Sequence, residues 1–414
     1  MKVLWLVNLT LPEPAKALGF GNNPVGGWLI GQREQLKHSV SLVICSIDVR
    51  VKKSEFLTIE GVDYAVLPTG SREEFSALLQ NAQPDLVHLW GSENPAAPAL
   101  VSLCSPERIL LSAQGIMTPY TEQLLDGVPE KYCRCSPLQK LATVIDRGEL
   151  LDRELAFYQE QSKTEAALLA GLRHVTGRTP WDKAELAALA PHAAYYVCNE
   201  TLRPGFFSAR WQGGPQKPVL FLSQGNQPRK GLHWLLQALP PVLEKYPDLT
   251  LHIAGWPMVK KGPLLEPLLR LLLPYQTYLK KLIRKYHLEK QVVWLGCLSE
   301  ADMRAALVQS SIFVMPSSLE NSPNSLGEAM LLGMPCIATD AGGTAGMLTN
   351  GKEGILYAPE DVPALTAAIL SLLDDPAKAR RYGDAARERA LVTHDPVRNG
   401  QAMLKIYRTI LKEE

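Results

Sequence analysis

Short apolar runs alternate with longer segments of helical periodicity along the whole chain. A short apolar run between turn residues is typical of a buried strand, and its alternation with helices is typical of a parallel sheet. The first half of the chain predicts strands at residues 3–7, 41–45, 64–67, 86–89, 108–112, 174–176 and 195–197. The pattern then starts again, and the second half predicts strands at residues 219–222, 249–254, 292–294, 312–315 and 336–339.

The restart of the pattern indicates two doubly wound α/β domains in series rather than one large sheet. We expect the first domain at residues 1–212 and the second at residues 219–395. Residues 213–218, with the sequence Gly-Gly-Pro-Gln-Lys-Pro, are rich in turn formers and poor in apolar side chains, so they are the predicted linker. Residues 396–414 are predicted as a helix that packs back on the first domain.

Composition excludes several classes of protein. The chain is 46% hydrophobic and 21% charged, which is typical of a globular domain, and its net charge of +1 gives no field to attract nucleic acid. The seven cysteines are an odd number, and we expect reduced thiols. Cys133 and Cys135 lack a second pair at the spacing of a zinc site, so no metal is expected.

Neither of the most apolar stretches predicts a membrane span. The first one ends at Asn8 with no small-residue cleavage site after it, which favours a strand over a signal peptide. The stretch at 264–273 is interrupted by charged residues and proline and is too short to cross a bilayer. We expect a cytoplasmic protein. Core packing is favoured for 264–273, and an interfacial helix that contacts the inner face of the plasma membrane is the open alternative.

A glycine pair follows the first predicted strand, in the segment at 22–27. Gly26 and Gly27 would let a ligand approach backbone N–H groups closely, and the helix start that follows them favours a negatively charged group. A tight turn without a ligand remains the alternative for this segment.

Basic side chains follow predicted strands in both domains. Arg229 and Lys230 end the loop that starts at Gln224, just before a predicted helix, where a diphosphate would fit. A solvated basic turn is the alternative. Arg178 follows the strand at 174–176 and suits a bidentate phosphate contact, or else caps a helix or pairs with a carboxylate.

Two glutamates, Glu320 and Glu328, flank a helix start in the second domain. Ser322 is the predicted N-cap and Pro323 the first helical residue, an arrangement that leaves backbone N–H groups available to phosphate oxygens. These are the N–H groups of Asn324 and Ser325. A capped surface helix with solvated glutamates is the alternative. Asp340-Ala341-Gly342-Gly343, after the next strand, could open space for a sugar or phosphate, or form a plain turn.

The order of these segments resembles the retaining nucleotide-sugar glycosyltransferases of glycosyltransferase family 4. Seven residues separate Glu320 from Glu328, and the sequences at 229–231, 333–335 and 340–343 also match the family pattern. The resemblance covers nearly the whole second domain. It is looser in the first domain, where the run at 176–182 is similar to a bacterial branch of cell-surface polysaccharide enzymes. It implies the GT-B fold, two Rossmann-like domains facing a cleft, with the acceptor bound by the first.

By this resemblance, Lys230 would bind the donor diphosphate, Glu320 the sugar hydroxyls and Glu328 the ribose hydroxyls. The backbone near Cys297 and Leu298 would meet the base. Charge that develops on a departing diphosphate would be stabilised by Lys230 and by the N–H groups at the helix start, without a metal or other cofactor.

Two positions depart from the family pattern. Gln224 stands where the family often has an arginine, and Arg229 or Arg178 could replace that charge. Gln114 stands where the first domain often presents a histidine near the transferred sugar, and it can hydrogen-bond but not titrate. With Lys230 and Glu320, Gln114 completes the expected catalytic set.

The resemblance predicts retaining, metal-independent transfer of a sugar from a nucleotide diphosphate sugar, with UDP-sugar favoured. The acceptor would be a glycan or a lipid-linked molecule in cell-surface polysaccharide biosynthesis. A nucleotide-sugar-binding protein without turnover, and a nucleotide-sugar epimerase of the same fold, are the alternatives.

Overall fold

The computed structural model describes residues 1–20, 26–133, 151–255 and 274–412. The chain forms two compact units, each built on one sheet. Unit 1 comprises Met1–Thr118, Glu160–Pro204 and Thr393–Glu414, and unit 2 comprises Pro119–Gln159 and Gly205–Val392. The predicted fold class, two doubly wound α/β domains, is confirmed.

The sheet of unit 1 has eight strands in the order β3-β4-β2-β1-β5-β6-β7-β8. All neighbouring pairs are parallel except β3 and β4. The order reverses at β1, so the neighbouring ends of β1 and β5 form the switch point at which such sheets bind ligands. The strands are β1 Lys2–Val7, β2 Ser41–Ile47, β3 Glu55–Ile59, β4 Val62–Leu67, β5 Leu86–Trp90, β6 Ile109–Ser112, β7 His174–Gly177 and β8 Ala194–Val197.

The sheet of unit 2 has six parallel strands in the order β11-β10-β9-β12-β13-β14. Its order reverses at β9, which pairs with β12 on one side and β10 on the other. The strands are β9 Val219–Leu222, β10 Thr250–Ala254, β11 Val292–Gly296, β12 Ile312–Met315, β13 Cys336–Thr339 and β14 Ile355–Tyr357.

Helices follow most of the strands, as right-handed crossover connections require. In chain order they are α1 Pro12–Ala17, α2 Gly27–Leu36, α3 Arg72–Ala82, α4 Ala97–Val101, α5 Met117–Glu122, α6 Leu151–Ala170, α7 Pro180–Leu189, α8 Gly205–Ser208, α9 Leu232–Lys245, α10 Pro274–Lys285, α11 Glu300–Val308, α12 Asn324–Leu332, α13 Thr344–Met347, α14 Val362–Asp374, α15 Pro376–Thr393 and α16 Pro396–Leu411. Within the described ranges, none of them combines the length and apolar character needed to cross a membrane.

The C-terminal helix α16 is part of unit 1. Its buried face contributes Tyr407, whose hydroxyl accepts a hydrogen bond from the Trp5 indole at 2.9 Å and lies 2.7 Å from His88 Nδ1. All three side chains are buried in the sheet–helix core, so α16 completes one face of the unit 1 sheet.

The sequence pattern does not predict two of the strands, β3 and β14. β3 is an edge strand whose residues alternate between partly buried and exposed, so it carries no continuous apolar run. β14 has only three residues, too few to show a period.

The predicted linker at 213–218 lies inside unit 2, because the preceding Trp211 is already fixed there. Its backbone N–H bonds to the Leu332 carbonyl at 2.7 Å and its indole to the Ser310 carbonyl at 2.8 Å. The compact units divide at Pro204 and Gly205 instead. The segment 22–25, Cys135 and the stretch 264–273 lie outside the described residues.

Candidate functional site

Lys230 and Glu320 meet at one edge of the unit 2 sheet. Lys230 ends a 3₁₀ turn after β9, and Glu320 follows β12. Because β9 and β12 are parallel neighbours, the loops that follow them lie at the same edge of the sheet. Lys230 Nζ is 2.6 Å from Glu320 Oε1, and Arg229 Nη1 is 3.9 Å from Glu320 Oε2. The structure therefore brings together three residues that the sequence predicts for the donor site.

The ion pair is buried, and burial acts on both partners. The Glu320 side chain is only 6% exposed and that of Lys230 only 16%. Burial raises the pKa of the Glu320 carboxyl, but the charges of Lys230 and Arg229 outweigh it and the pKa is lowered. Burial lowers the pKa of Lys230 and is only partly opposed by Glu320. The site thus holds an ionised carboxylate, which accepts hydrogen bonds from hydroxyls, beside cationic groups that attract phosphate.

Several polar atoms of the loop after β9 have no hydrogen-bond partner in the described part of the chain. They are buried atoms of Asn226 (Oδ1), Gln227 (Oε1) and Arg229 (Nε and Nη1). Buried polar groups are normally paired, so an unpaired group has to be explained. A polar ligand bound beside Arg229 would supply the missing partners.

The backbone of this edge is packed too closely for side chains at two glycines. Gly231 has φ +71°, and a Cβ atom there would lie 1.8 Å from the Pro316 carbonyl oxygen. Gly342 has φ +59°, and a Cβ atom there would lie 2.2 Å from the Glu320 carbonyl oxygen, which accepts the Gly343 N–H at 2.8 Å. The Asp-Ala-Gly-Gly segment is thus a turn that packs on the backbone of Glu320.

Helix α12 begins one residue later than the sequence predicts. Pro323, not Ser322, has the N-cap position, and it provides no side-chain cap. Its carbonyl accepts the N–H groups of Leu326 and Gly327, so those of Asn324 and Ser325 precede the hydrogen-bond ladder of the helix. The Ser325 hydroxyl also accepts a hydrogen bond from Ser223, just after β9, at 3.1 Å. This helix start therefore lies at the same sheet edge as the loop that carries Lys230.

Other predicted donor residues lie in unit 2 after the strands that the sequence predicts. Glu328 is buried within α12, and Gln224 is partly buried just after β9. Cys297 is exposed and Leu298 partly buried, directly after β11. Their roles toward ribose, phosphate and base stay predictions.

Tyr120 is a member of this site that the sequence does not indicate. Its ring faces the Arg229 guanidinium at 4.8 Å, and its hydroxyl accepts the Asn321 N–H at 3.3 Å. It therefore holds both the loop after β9 and the segment beside Glu320. Tyr120 lies in the first half of the chain, and no motif signals that this part of the chain belongs to unit 2.

Arg178 and Gln114 line one recess in unit 1. The Arg178 side chain is 5% exposed, forms an ion pair with Glu200 and donates to the Ala113 carbonyl at 2.8 Å. Of the alternatives for Arg178, a carboxylate partner is the one observed, and its charge is already engaged within unit 1. Gln114 is partly buried two residues after β6. Its predicted catalytic role stays a prediction.

The glycine pair is fixed by packing inside unit 1. Gly26 has φ +94° and is the N-cap residue of α2, which starts at Gly27. A Cβ atom on Gly27 would lie 2.3 Å from Arg203 Cγ, and one on Gly26 would lie 2.8 Å from Leu9 Cδ1. Close packing at the start of α2 therefore accounts for both glycines, and contact with a donor stays a prediction.

The described residues contain no group of three or more His, Cys, Asp or Glu side chains arranged to hold a metal ion.

Residues 208–389 match the family model described as glycosyl transferases group 1. This stretch is a group 1 glycosyltransferase domain. It contains every predicted donor residue of unit 2.

The chain is 30% identical over 212 residues to a glycogen synthase of Mycobacterium tuberculosis, covering 50% of this chain and 47% of the relative. It is 28% identical over 225 residues to a GDP-mannose-dependent alpha-(1-6)-phosphatidylinositol monomannoside mannosyltransferase of Mycolicibacterium smegmatis, covering 50% and 54%. The chain thus spans about half the length of the curated relatives it matches.

Solved structures similar to this chain include a sucrose-phosphate synthase from Thermosynechococcus elongatus, with a TM-score of 0.73 and 17% identity over 99% of both chains. Anabaena HepE in complex with UDP-glucose has a TM-score of 0.64 and 16% identity, covering 99% of this chain and 100% of that one. At such identities the likeness shows the fold alone. It confirms the predicted GT-B fold.

Proposed function

We propose that this protein transfers a glycosyl group from a nucleotide diphosphate sugar to a hydroxyl group, with retention of anomeric configuration. The observation that carries the proposal is the buried pair of Lys230 and Glu320 beside the start of α12. It offers cations and N–H groups to a diphosphate and a carboxylate to sugar hydroxyls, within one sheet edge.

Departure of the diphosphate is the step that most needs stabilisation by the protein. When the bond between the anomeric carbon and the diphosphate oxygen breaks, negative charge develops on that oxygen. Lys230, Arg229 and the N–H groups of Asn324 and Ser325 would stabilise this charge from fixed positions, which is the largest single source of catalysis in many enzymes. No acid need protonate the diphosphate, and we propose that no metal or cofactor takes part.

Glu320 would position the sugar by accepting hydrogen bonds from its hydroxyls. The acceptor oxygen then bonds to the anomeric carbon on the face that the diphosphate leaves, and its proton passes to the departing phosphate oxygen. Atoms and charge balance without a further reactant. The products are a glycoside of unchanged anomeric configuration and a nucleoside diphosphate.

We favour a UDP-sugar as donor and a glycan or lipid-linked acceptor of a cell-surface polysaccharide. The support is the names of similar proteins: HepE is in complex with UDP-glucose, glycogen synthase is named for a glycan product, and the mannosyltransferase is named for a lipid acceptor. The group 1 domain supports sugar transfer itself.

Calorimetric titration with UDP-, GDP-, ADP- and dTDP-sugars tests the donor. We expect one nucleotide to bind at micromolar concentration, and Lys230→Ala to weaken that binding at least tenfold. Lys245→Ala is the control, because Lys245 sits at the far end of α9 in a surface pair with Asp374. Failure of all four donors to bind the wild-type protein would overturn the proposal.

A further inference from the structure

The segment at residues 120–132, which we call the strap, comes from the first half of the chain but is part of unit 2. Its first residue contacts the loop that carries Lys230, and its last residues pack on α10. The chemistry proposed above gives the strap no role.

The far end of the strap is fixed to the helices of unit 2. Gly127 has φ +70°, and a Cβ atom there would lie 2.5 Å from Trp234 Nε1 of α9. The Tyr132 ring stacks on Tyr278 of α10 with the ring centroids 5.0 Å apart, and Leu125 packs against the hydrophobic core of the unit. Because closely packed side chains have few other positions available, this end of the strap is a firm support for the end at Tyr120.

One serine joins the strap to both loops of the donor site. Ser318 follows β12 and is 3% exposed. Its hydroxyl donates to the Gln123 carbonyl at 3.1 Å, and its backbone N–H donates to the Arg229 carbonyl at 2.8 Å. The strap, the loop after β12 and the loop after β9 thus meet at one hydrogen-bonded junction.

Tyr120 is the strap residue that contacts a cation of the site. It is 8% exposed, its ring centroid lies 4.8 Å from Arg229 Cζ, and its hydroxyl accepts the Asn321 N–H at 3.3 Å. A guanidinium group is attracted to the electron-rich face of an aromatic ring, and the attraction is larger where water is excluded. The ring therefore favours one position of the Arg229 guanidinium.

Arg229 depends on this contact because its own hydrogen bonds do not fix it. Its Nε and Nη1 atoms have no hydrogen-bond partner among the residues that the structure describes, and its contact with Glu320 is an ion pair at 3.9 Å. An arginine binds phosphate through the N–H groups in the plane of the guanidinium. A ring contact uses none of these donors, and a side chain that is already ordered loses less freedom when the ligand binds.

We propose that Tyr120 is a positioning residue for sugar transfer, which holds the Arg229 guanidinium in the orientation that binds the donor diphosphate. The inference rests on the proposed function, because the phosphate ligand of Arg229 is that of the donor. Tyr120 acts through Arg229, and the strap keeps Tyr120 in place.

A double-mutant cycle on Tyr120 and Arg229 tests the proposal. The measurement is calorimetric binding of whichever of UDP, GDP, ADP and dTDP the wild-type protein binds most tightly. We expect Tyr120→Met to weaken binding about tenfold in the wild-type background, but less than about twofold when Arg229→Met is also present, because the ring then has no cation to position. Tyr120→Phe keeps the ring and should bind within about threefold of wild type.

Tyr246→Met is the matched control. Tyr246 is a partly buried tyrosine just after α9, and its hydroxyl donates to Asp374 at 2.7 Å, at the end of the helix remote from Lys230. This variant should bind the nucleotide like wild type. Near-ultraviolet circular dichroism verifies that each variant is folded, and Tyr120→Leu serves the same test if Tyr120→Met does not fold.

The outcomes separate this inference from the proposed function. Equal nucleotide binding by Tyr120→Met and wild type would overturn the inference alone. An equal loss of binding from Tyr120→Met with and without Arg229 would also overturn it, because the ring would then act by another route. A wild-type protein that binds none of the four nucleotides would overturn the proposed function and the inference together.

Discussion

Lys230 and Glu320 form a buried ion pair. Removing one partner of such a pair leaves the other charge buried and commonly costs about 3–5 kcal/mol of stability, although the intact pair contributes little. Arg229, 3.9 Å from Glu320, is a second cation that would remain in a Lys230 variant. We therefore expect Lys230 variants to fold, and activity to be the quantity that changes.

We predict that Lys230→Ala and Glu320→Ala each lower kcat/KM for transfer by about a hundredfold, which corresponds to about 3 kcal/mol of transition-state stabilisation. Steady-state assays with the donor found by calorimetry measure this. The controls are Lys245→Ala and Glu289→Ala, both at exposed positions. Near-unchanged turnover in both site variants would show that the pair is not part of the catalytic site.

His88 gives unit 1 a pH-dependent stability. Burial lowers its pKa to about 3, whereas the unfolded chain binds the proton near pH 6.5. Below pH 6.5 the unfolded state therefore binds more protons than the folded state, and stability falls by about 1.4 kcal/mol per pH unit until pH approaches the folded pKa.

We predict that His88→Gln reduces the drop in thermal midpoint between pH 7 and pH 5 relative to wild type. Other buried histidines contribute equally to both proteins, so the difference isolates His88. His38→Gln, at an exposed position, controls for the loss of a histidine and should behave as wild type. An identical drop in His88→Gln and wild type would contradict a neutral, buried His88.

The conformation of the turn before α9 depends on the glycine at position 231. Gly231 ends the 3₁₀ turn that carries Arg229 and Lys230 and is also the N-cap residue of α9. Its φ of +71° strains any other residue, and the nearby Pro316 carbonyl leaves no room for a Cβ atom.

We predict that Gly231→Ala displaces this turn and weakens donor binding at least tenfold. Gly351→Ala is a matched control, because Gly351 has a similar φ of +76° but no atom within 4 Å of the Cβ position. That control should cost only about 1 kcal/mol in stability. Calorimetry and thermal melting measure both effects, and equal donor binding by the two variants would refute the steric argument.

The sequence predicts best the strands that are continuous apolar runs between turn residues. Core strands such as β12, and β1 after Lys2, are continuous apolar runs because helices cover both faces of a parallel sheet. The edge strand β3 has one partly exposed face, and β14 is very short, so neither stands out in the sequence. The start of α12 is predicted to within one residue, because several residues near a Ser-Pro pair can serve as N-cap.

At the scale of the whole molecule, the sequence indicates which residues of unit 2 come together at one sheet edge, but it does not indicate all their neighbours. Lys230 and Glu320 follow adjacent parallel strands, so their meeting follows from topology. The contacts of Tyr120 and Arg178 do not follow from the order of the strands. Tyr120 reaches Arg229 only because a segment from the first half of the chain belongs to unit 2. Arg178 pairs with Glu200, a long-range partner that no local pattern reveals.

We propose that the residues of unit 2 carry out sugar transfer without a metal. Its most direct measurement is release of nucleoside diphosphate from the identified donor in the presence of EDTA, with and without acceptor glycans, followed by NMR of the sugar product. We predict release that EDTA does not change and a product that keeps the anomeric configuration of the donor. Donor binding without any release, or release of an epimerised sugar nucleotide instead of a glycoside, would contradict the account.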